Sequence, residues 1–477
     1  MRTGAENPSR RIFRRAEFSL KFCTFGPACL LPTPSLAHAT NQSFVLLLPT
    51  GYYMAGGLAA VVLTLIVATA LSPARVAALY RPLRLLPIPR HAAPVLTSLA
   101  SAATLSAATA IGALGPPDPT RNLLPLLVWT VFWTLLVALQ GLTGGAWRHL
   151  NPFTGPFALA RALGWRPPLR LPQGTGHWPA LAFFLAIVAL LLVHVTPASP
   201  RLLACLVPLW WLTHLVLTLL FGRRWLVRGE PMTVLLRAYA LIAATGCRAG
   251  RLRLGLPGWR SLGRAAPPLP LALMMLALLA AGSFDGLYET FFWFALTGQN
   301  PLEFQGRSAV IGQNLAGVLA ALPLLAALYW SCLRAGLVLA GQAQRTAEAF
   351  RSFAPALLPI ALGYHIAHFL PSFLIEIQAL PIALSDLLGR GWDIFGHARG
   401  HVSTGLFNRL DTVRLLWLVQ AGAVVAGHAA AILYSHALAL RMFPDRRRAA
   451  LAGAPLSAFM LAYSLFGLWL LASPRGV

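Results

Sequence analysis

The chain has 477 residues, 57% of them hydrophobic and only 11% charged, with a mean hydropathy of +0.67. A water-facing surface needs far more charge than this, which excludes a soluble globular protein and predicts an all-α fold, a polytopic integral membrane bundle in a lipid bilayer. The net charge of +25 and pI near 11.5 would suit a nucleic-acid partner, but the basic residues are almost all arginine and stand in short clusters between long apolar runs, which is how topology signals are spaced; no nucleic acid is expected.

In chain order, residues 1–39 read as a cleaved signal peptide. Basic residues, including "SRRIFRR" at 9–15, precede an apolar stretch ending in Ala37-His38-Ala39, the small-x-small pattern of a cleavage site, and cleavage leaves Thr40 first. The "SRRIF" run also has a twin-arginine look, but Lys21 and Pro27 interrupt the apolar region and favour ordinary secretion; an untranslated leader ahead of a later start codon is the alternative. Crossing about 30 Å of hydrocarbon takes about 20 apolar residues. Runs of that kind lie near 52–72, 92–114, 123–143, 178–197, 201–221, 268–284, 311–333, 355–377, 412–437 and 453–472, which predicts about ten spans.

With Thr40 outside, 24 of the arginines fall in the connections on the cytoplasmic side and eight on the other side, an asymmetry that supports an outside N-terminus in a bacterial inner membrane. The stretch 147–165 is too short and polar to span and is expected along the interface, with Trp147 and Trp165 as anchors. Residues 231–246 are ambiguous and read as a half-length eleventh element. The basic loop 222–267 divides a bland first half, 40–266, from a polar second half, 267–477. Cys205, Cys247 and Cys332 lie in or beside apolar runs without CxxC spacing, so neither a disulfide framework nor a thiolate metal site is indicated.

The polar bias of the second half is the informative feature. Asp285, Glu289, Glu303, Glu376, Asp386, Asp393 and Asp411 all fall at or near the outer ends of the predicted spans, as do His397 and His401. Within the span "GYHIAHF" (363–369), His365 and His368 are three residues apart, about 60° around a helix, so both imidazoles can face one neighbour. The next span supplies His428 among small residues in "VVAGHAAAIL". Ionisable groups inside a membrane cost several kcal/mol unless paired and rarely point at lipid. Three imidazoles meeting inside the bundle would suit a divalent metal, zinc or similar, or a b-type haem held by His365 or His368 with His428. The plainer reading of a single buried histidine is a packing hydrogen bond, and His194, His214 and His436 read that way.

Two further constellations stand near the outer face. In "ALSDLLGRGWDIFGHARGHVSTG" (383–405), Asp393, His397 and His401 recur at four-residue steps, which would align them if the segment were helical, although four glycines argue against that. In "GSFDGLYETFFW" (282–293), Asp285 and Glu289 stand one turn apart at the end of a span. The candidate acid–base groups are therefore Asp285, Asp393 and His397, and the candidate metal ligands His365, His368, His401 and His428.

At these residues the chain resembles a known family. "SFDGLYETFFW" with "GQNPLEF" (298–304), "LPIALGYHIAHF", "LSDLLGRGWDIFG" and "AGAVVAGHAAAILYSHALAL" are similar to bacterial polytopic membrane proteins named fenitrothion hydrolase. The resemblance covers much of 280–440, and more loosely 37–57 and 151–153. It implies hydrolysis of an organophosphorus triester, an apolar small-molecule substrate, with release of a nitrophenol, and it allows a second similar membrane subunit as partner. The residues are compatible with metal-activated water as the nucleophile. A transporter or metal-handling permease with buried His and Asp is the other class the same pattern admits.

Overall fold

The computed structural model describes residues 50–87, 94–248, 250–300, 302–303 and 306–474; the expected leader, 1–39, lies outside the described residues. Among them, nine helices are long and apolar enough to cross a membrane, and a tenth, of 16 residues, is shorter. In chain order the main helices are α1 (Thr50–Ala70), α2 (Pro94–Leu114), α3 (Leu123–Thr143), α4 (Trp178–Val193) and α5 (Pro200–Phe221). They continue with α6 (Pro231–Tyr239), α7 (Leu269–Leu287), α8 (Ile311–Leu339), α9 (Leu358–Glu376), α10 (Leu410–Met442) and α11 (Arg446–Ala472). The protein is thus a multi-pass membrane helical bundle, and each expected span has its helix. α10 and α11 run past their apolar limits because Arg441 and Arg446 to Arg448 continue the last or first turn.

Two features differ from the sequence reading. A small antiparallel sheet joins β1 (Leu83–Pro87) and β2 (Thr245–Arg248) to the central β3 (Arg251–Leu254). Trp147 is not an interfacial anchor: it is only 4% exposed, and its indole Nε1 donates to Thr233 Oγ1 at 3.1 Å. The ambiguous 231–246 region resolves into the short helix α6, capped by Glu230, whose carboxylate accepts from the Met232 and Thr233 amides, followed by β2.

The bundle has two chemically distinct ends. At one, the connections carrying most of the arginines gather: β1 pairs with β3, Arg345 donates to the Met442 carbonyl at 3.2 Å, Arg446 Nε to that of Thr69 at 3.1 Å, and Arg441 to that of Leu262. At the other, Arg307 donates to the His194 carbonyl at 3.1 Å and the Phe291 amide to that of Pro474 at 3.2 Å. Between the ends, bulky apolar side chains such as Leu63, Ile66, Leu212, Leu319 and Leu328 are exposed on the outside of the bundle, as hydrocarbon requires.

α7 and α9 form the centre. α7 packs on α4, α8 and α9, and its Met274, Met275 and Leu276 are fully buried. α9 crosses α10 at the closest approach, where Gly363 faces the Ala423 carbonyl and Gly427 faces the Pro359 carbonyl, so that a β-carbon on either glycine would meet backbone. Small residues at a crossing are what let membrane helices touch main chain to main chain. Pro371 within α9 cannot donate to the Ala367 carbonyl, and Gln420 of α10 donates to it instead at 2.7 Å.

Gly363→Val is expected to lower the stability of the detergent-solubilised protein by about 1–3 kcal/mol, because neither backbone can yield. Gly422→Ala, on the same α10 but facing open space, is expected to leave it unchanged in the same thermal-unfolding assay.

Candidate functional site

The site grows from the last turn of α7 and the middle of α9. Asp285 and His368 are in contact, with His368 Nε2 3.2 Å from Asp285 Oδ2 and side chains only 9% and 14% exposed for histidine and aspartate respectively. Tyr364, one turn before His368, stacks on its ring with centroids 5.6 Å apart. The Tyr364 hydroxyl lies where a side chain on Gly286 would be, so the glycine beside Asp285 is what allows α7 and α9 to close on the pair.

His365 faces a different helix. Its Nε2 lies 3.4 Å from the Thr134 carbonyl of α3, and its ring meets Trp133 edge-on at 5.9 Å. Residues 126–136 of α3 are wound as a π-helix. Such widening is uncommon and concentrates at functional sites. Here it presents two polar groups to α9: the Thr134 carbonyl to His365, and the Thr130 hydroxyl, which donates to Glu376 Oε2 at 2.6 Å. His365, His368 and Asp285 all line one cavity of about 40 Å³, whose remaining wall is mainly apolar and includes Leu235 and Tyr239 of α6. A void of that size has room for a few water molecules.

One turn beyond Asp285, the polar contacts continue. The Tyr288 hydroxyl donates to Glu289 Oε1 at 2.6 Å and accepts from Arg307, which also reaches the Leu191 and His194 carbonyls of the α4 end. Sequence reasoning singled out Asp285, His365 and His368, and the structure brings these together. It missed Tyr364, the π-helical stretch and the Tyr288–Arg307 contact; the Thr130 and Thr134 spacing, four apart in an apolar run, was the available signal.

The other candidates are placed elsewhere. His428 does not join the pair: the Gly363–Gly427 contact brings the two backbones together, and the His428 ring lies toward Tyr463, 6.5 Å between centroids, with Nδ1 2.9 Å from its own Val424 carbonyl. Asp393, His397 and His401 lie exposed in a non-helical loop. Gly389, Gly391 and Gly396 adopt positive φ there, so the four-residue spacing carries no common face. Asp393 accepts from the Ala398 amide at 2.9 Å and thereby closes its own turn. Most of the remaining acids also have local partners, Asp386 on the Arg390 and Gly391 amides and Glu303 on the Asn300 side chain.

The expected convergence on one ligand shell is therefore corrected to a single carboxylate–imidazole pair with a second imidazole beside the same void. Among the described residues, no three His, Cys, Asp or Glu side chains are grouped to hold a metal ion. Of the candidate ligands, His368 Nδ1 and His428 Nε2 are buried without a hydrogen-bond partner, each in the separate surroundings just described.

No protein-family model, curated protein or solved structure matches the chain.

If the Asp285–His368 contact contributes as a pair, the His368→Leu/Asp285→Leu double variant will lose less stability than the sum of the losses in the two single variants. A double-mutant cycle on thermal unfolding is expected to return a coupling of about 1–2 kcal/mol; additive effects would mean the contact contributes nothing.

Proposed function

We propose that the protein is a membrane carrier in which His368 and Asp285, with His365 beside them, bind and release a proton during the transport cycle. The observation that carries this reading is the size and position of the site: a buried carboxylate–imidazole pair on a cavity of about 40 Å³ near one end of the bundle. Buried ionisable groups in membrane helices are costly and typically mark ion or proton pathways. The void is far smaller than the roughly 300–1,000 Å³ of ordinary ligand pockets, and it suits a proton with a few waters.

The short helix α6 supports the same reading. Its Leu235 and Tyr239 wall the small cavity, while Thr233, Val234, Arg237 and Ala238 wall a second cavity of about 580 Å³ toward the arginine-rich end. A broken or half-length element between cavities from opposite sides is the arrangement alternating access uses. By the distribution of arginine, the larger cavity faces the cytoplasm of a bacterial inner membrane and the Asp285 end faces outward.

Hydrolysis of an organophosphorus triester, the activity the resemblance implies, is the second reading. A carboxylate-oriented imidazole beside a water-sized void is what a general base for water requires. In this reading the imidazole takes the proton from water directly.

In liposomes containing a pH-sensitive dye, the wild type is expected to pass protons under an imposed potassium-diffusion potential. His368→Asn and Asp285→Asn should each reduce that flux roughly tenfold or more, and Asp411→Asn, exposed at the start of α10, should not. Solubilised protein that releases nitrophenolate from a nitrophenyl phosphotriester in a His368-dependent way, while passing no protons, would replace the carrier with the hydrolase.

A further inference from the structure

The arginine-rich end is more than a topology signal. Arginines that only fix orientation stand scattered along loops, yet five of them, Arg148, Arg223, Arg237, Arg260 and Arg264, line a single cavity of about 580 Å³, Arg260 partly buried and the other four exposed to its opening. They come from four separate pieces of chain, the 147–150 turn, the 223–228 helix, α6 and the stretch after β3, so the fold itself gathers them. No Asp or Glu lines the cavity. The nearby Glu230 does not neutralise it: both its oxygens cap α6, and burial pushes its carboxyl up to about 7.

The arginines also disturb one another. Burial, Arg264 and Arg223 lower the affinity of Arg237 for its proton, and burial with Arg264 does the same to Arg260. Arg260 is nonetheless held in place, with Nη1 donating to the Thr245 carbonyl at 3.3 Å and passing over Gly144, whose φ of 68° admits no ordinary side chain and whose β-carbon position the guanidinium occupies. Deeper in the wall, neutral donors are fixed: Asn151 Nδ2 and Trp147 Nε1 both donate to Thr233 Oγ1 at 3.1 Å. Guanidinium groups gathered around a concavity with no carboxylate, one of them held in place, are a binding surface for a multiply charged oxyanion, because guanidinium matches phosphate oxygens in a bidentate way.

We propose that this cavity binds a phosphate-bearing polyanion, supplied either by an anionic lipid headgroup or by a soluble phosphate compound. The inference stands independently of whether the His368–Asp285 pair moves protons. Its volume falls in the range of ordinary ligand pockets, and its neighbour around Arg345 and Arg441, about 490 Å³, differs in having Glu348 among its walls.

The test uses the purified full-length protein in a neutral detergent and reads the thermal-unfolding midpoint. Inorganic pyrophosphate is titrated in one arm, and mixed micelles containing phosphatidylglycerol, against phosphatidylcholine, in the other. At least one of the two anions is expected to raise the midpoint saturably: pyrophosphate alone identifies a soluble ligand, and phosphatidylglycerol alone a headgroup. Arg264→Gln and the Arg237→Gln/Arg264→Gln pair should weaken the response roughly tenfold or more in half-saturating concentration, while Arg399→Gln, exposed in the loop at the opposite end, should respond as wild type does. Because Arg264 is exposed and repelled by its neighbours, Arg264→Gln should also raise the midpoint without ligand, which separates lost binding from misfolding. No rise with either anion, or an unchanged response in both variants, overturns the proposal.

Discussion

An ionisable side chain among membrane helices must find a partner, because hydrocarbon offers none and the unpaired group costs several kcal/mol. Much of the interior of this protein answers that constraint. His368 meets Asp285, Glu376 accepts from Thr130, His365 faces the Thr134 carbonyl and Glu230 is taken up by the start of α6. Each of these joins elements far apart in sequence or fixes a helix end, so the polar contacts also specify which helix lies against which. The glycine contacts at 286, 363 and 427 are the apolar counterpart, bringing α7, α9 and α10 close enough for the pairs to form.

The distribution of charge along the bundle follows from the same rule. Arginine collects at one end, where the main chain of neighbouring connections accepts its hydrogen bonds, and aspartate and glutamate collect at the other. α6 lies between the two chemistries, with apolar residues on the small cavity and Thr233 and Arg237 on the large one. A proton site near one end and an anion site at the other would give a carrier two different ions to couple, with the short helix as the element between them.

The sequence was most legible where one property sufficed. Runs of apolar residues placed every span, since length and hydropathy alone decide whether a helix can cross, and arginine clusters marked the connections that gather at one end. His365, His368 and Asp285 were readable because imidazoles and a carboxylate in apolar runs are costly and must be explained. What failed depended on orientation. His428 looked equivalent to the other two, but the position of Gly427 against Pro359 sends its ring toward Tyr463. Asp393, His397 and His401 had a helical spacing in a segment whose glycines take positive φ. The π-helical winding of 126–136 left almost no trace in residue type, because it is a property of the backbone register between α3 and α9.

The central claim of the proposed carrier is that His368, in contact with Asp285 beside the small cavity, is the imidazole that takes up the proton, and not His428. Side-chain nitrogen-15 resonances of histidine in the reconstituted protein, followed against pH in wild type and Asp285→Asn, test it most directly. The account predicts that the His368 resonances respond both to bulk pH and to the loss of the carboxylate, while those of His428 respond to neither. A His368 ring silent to both, or a His428 ring that moves in its place, would contradict it.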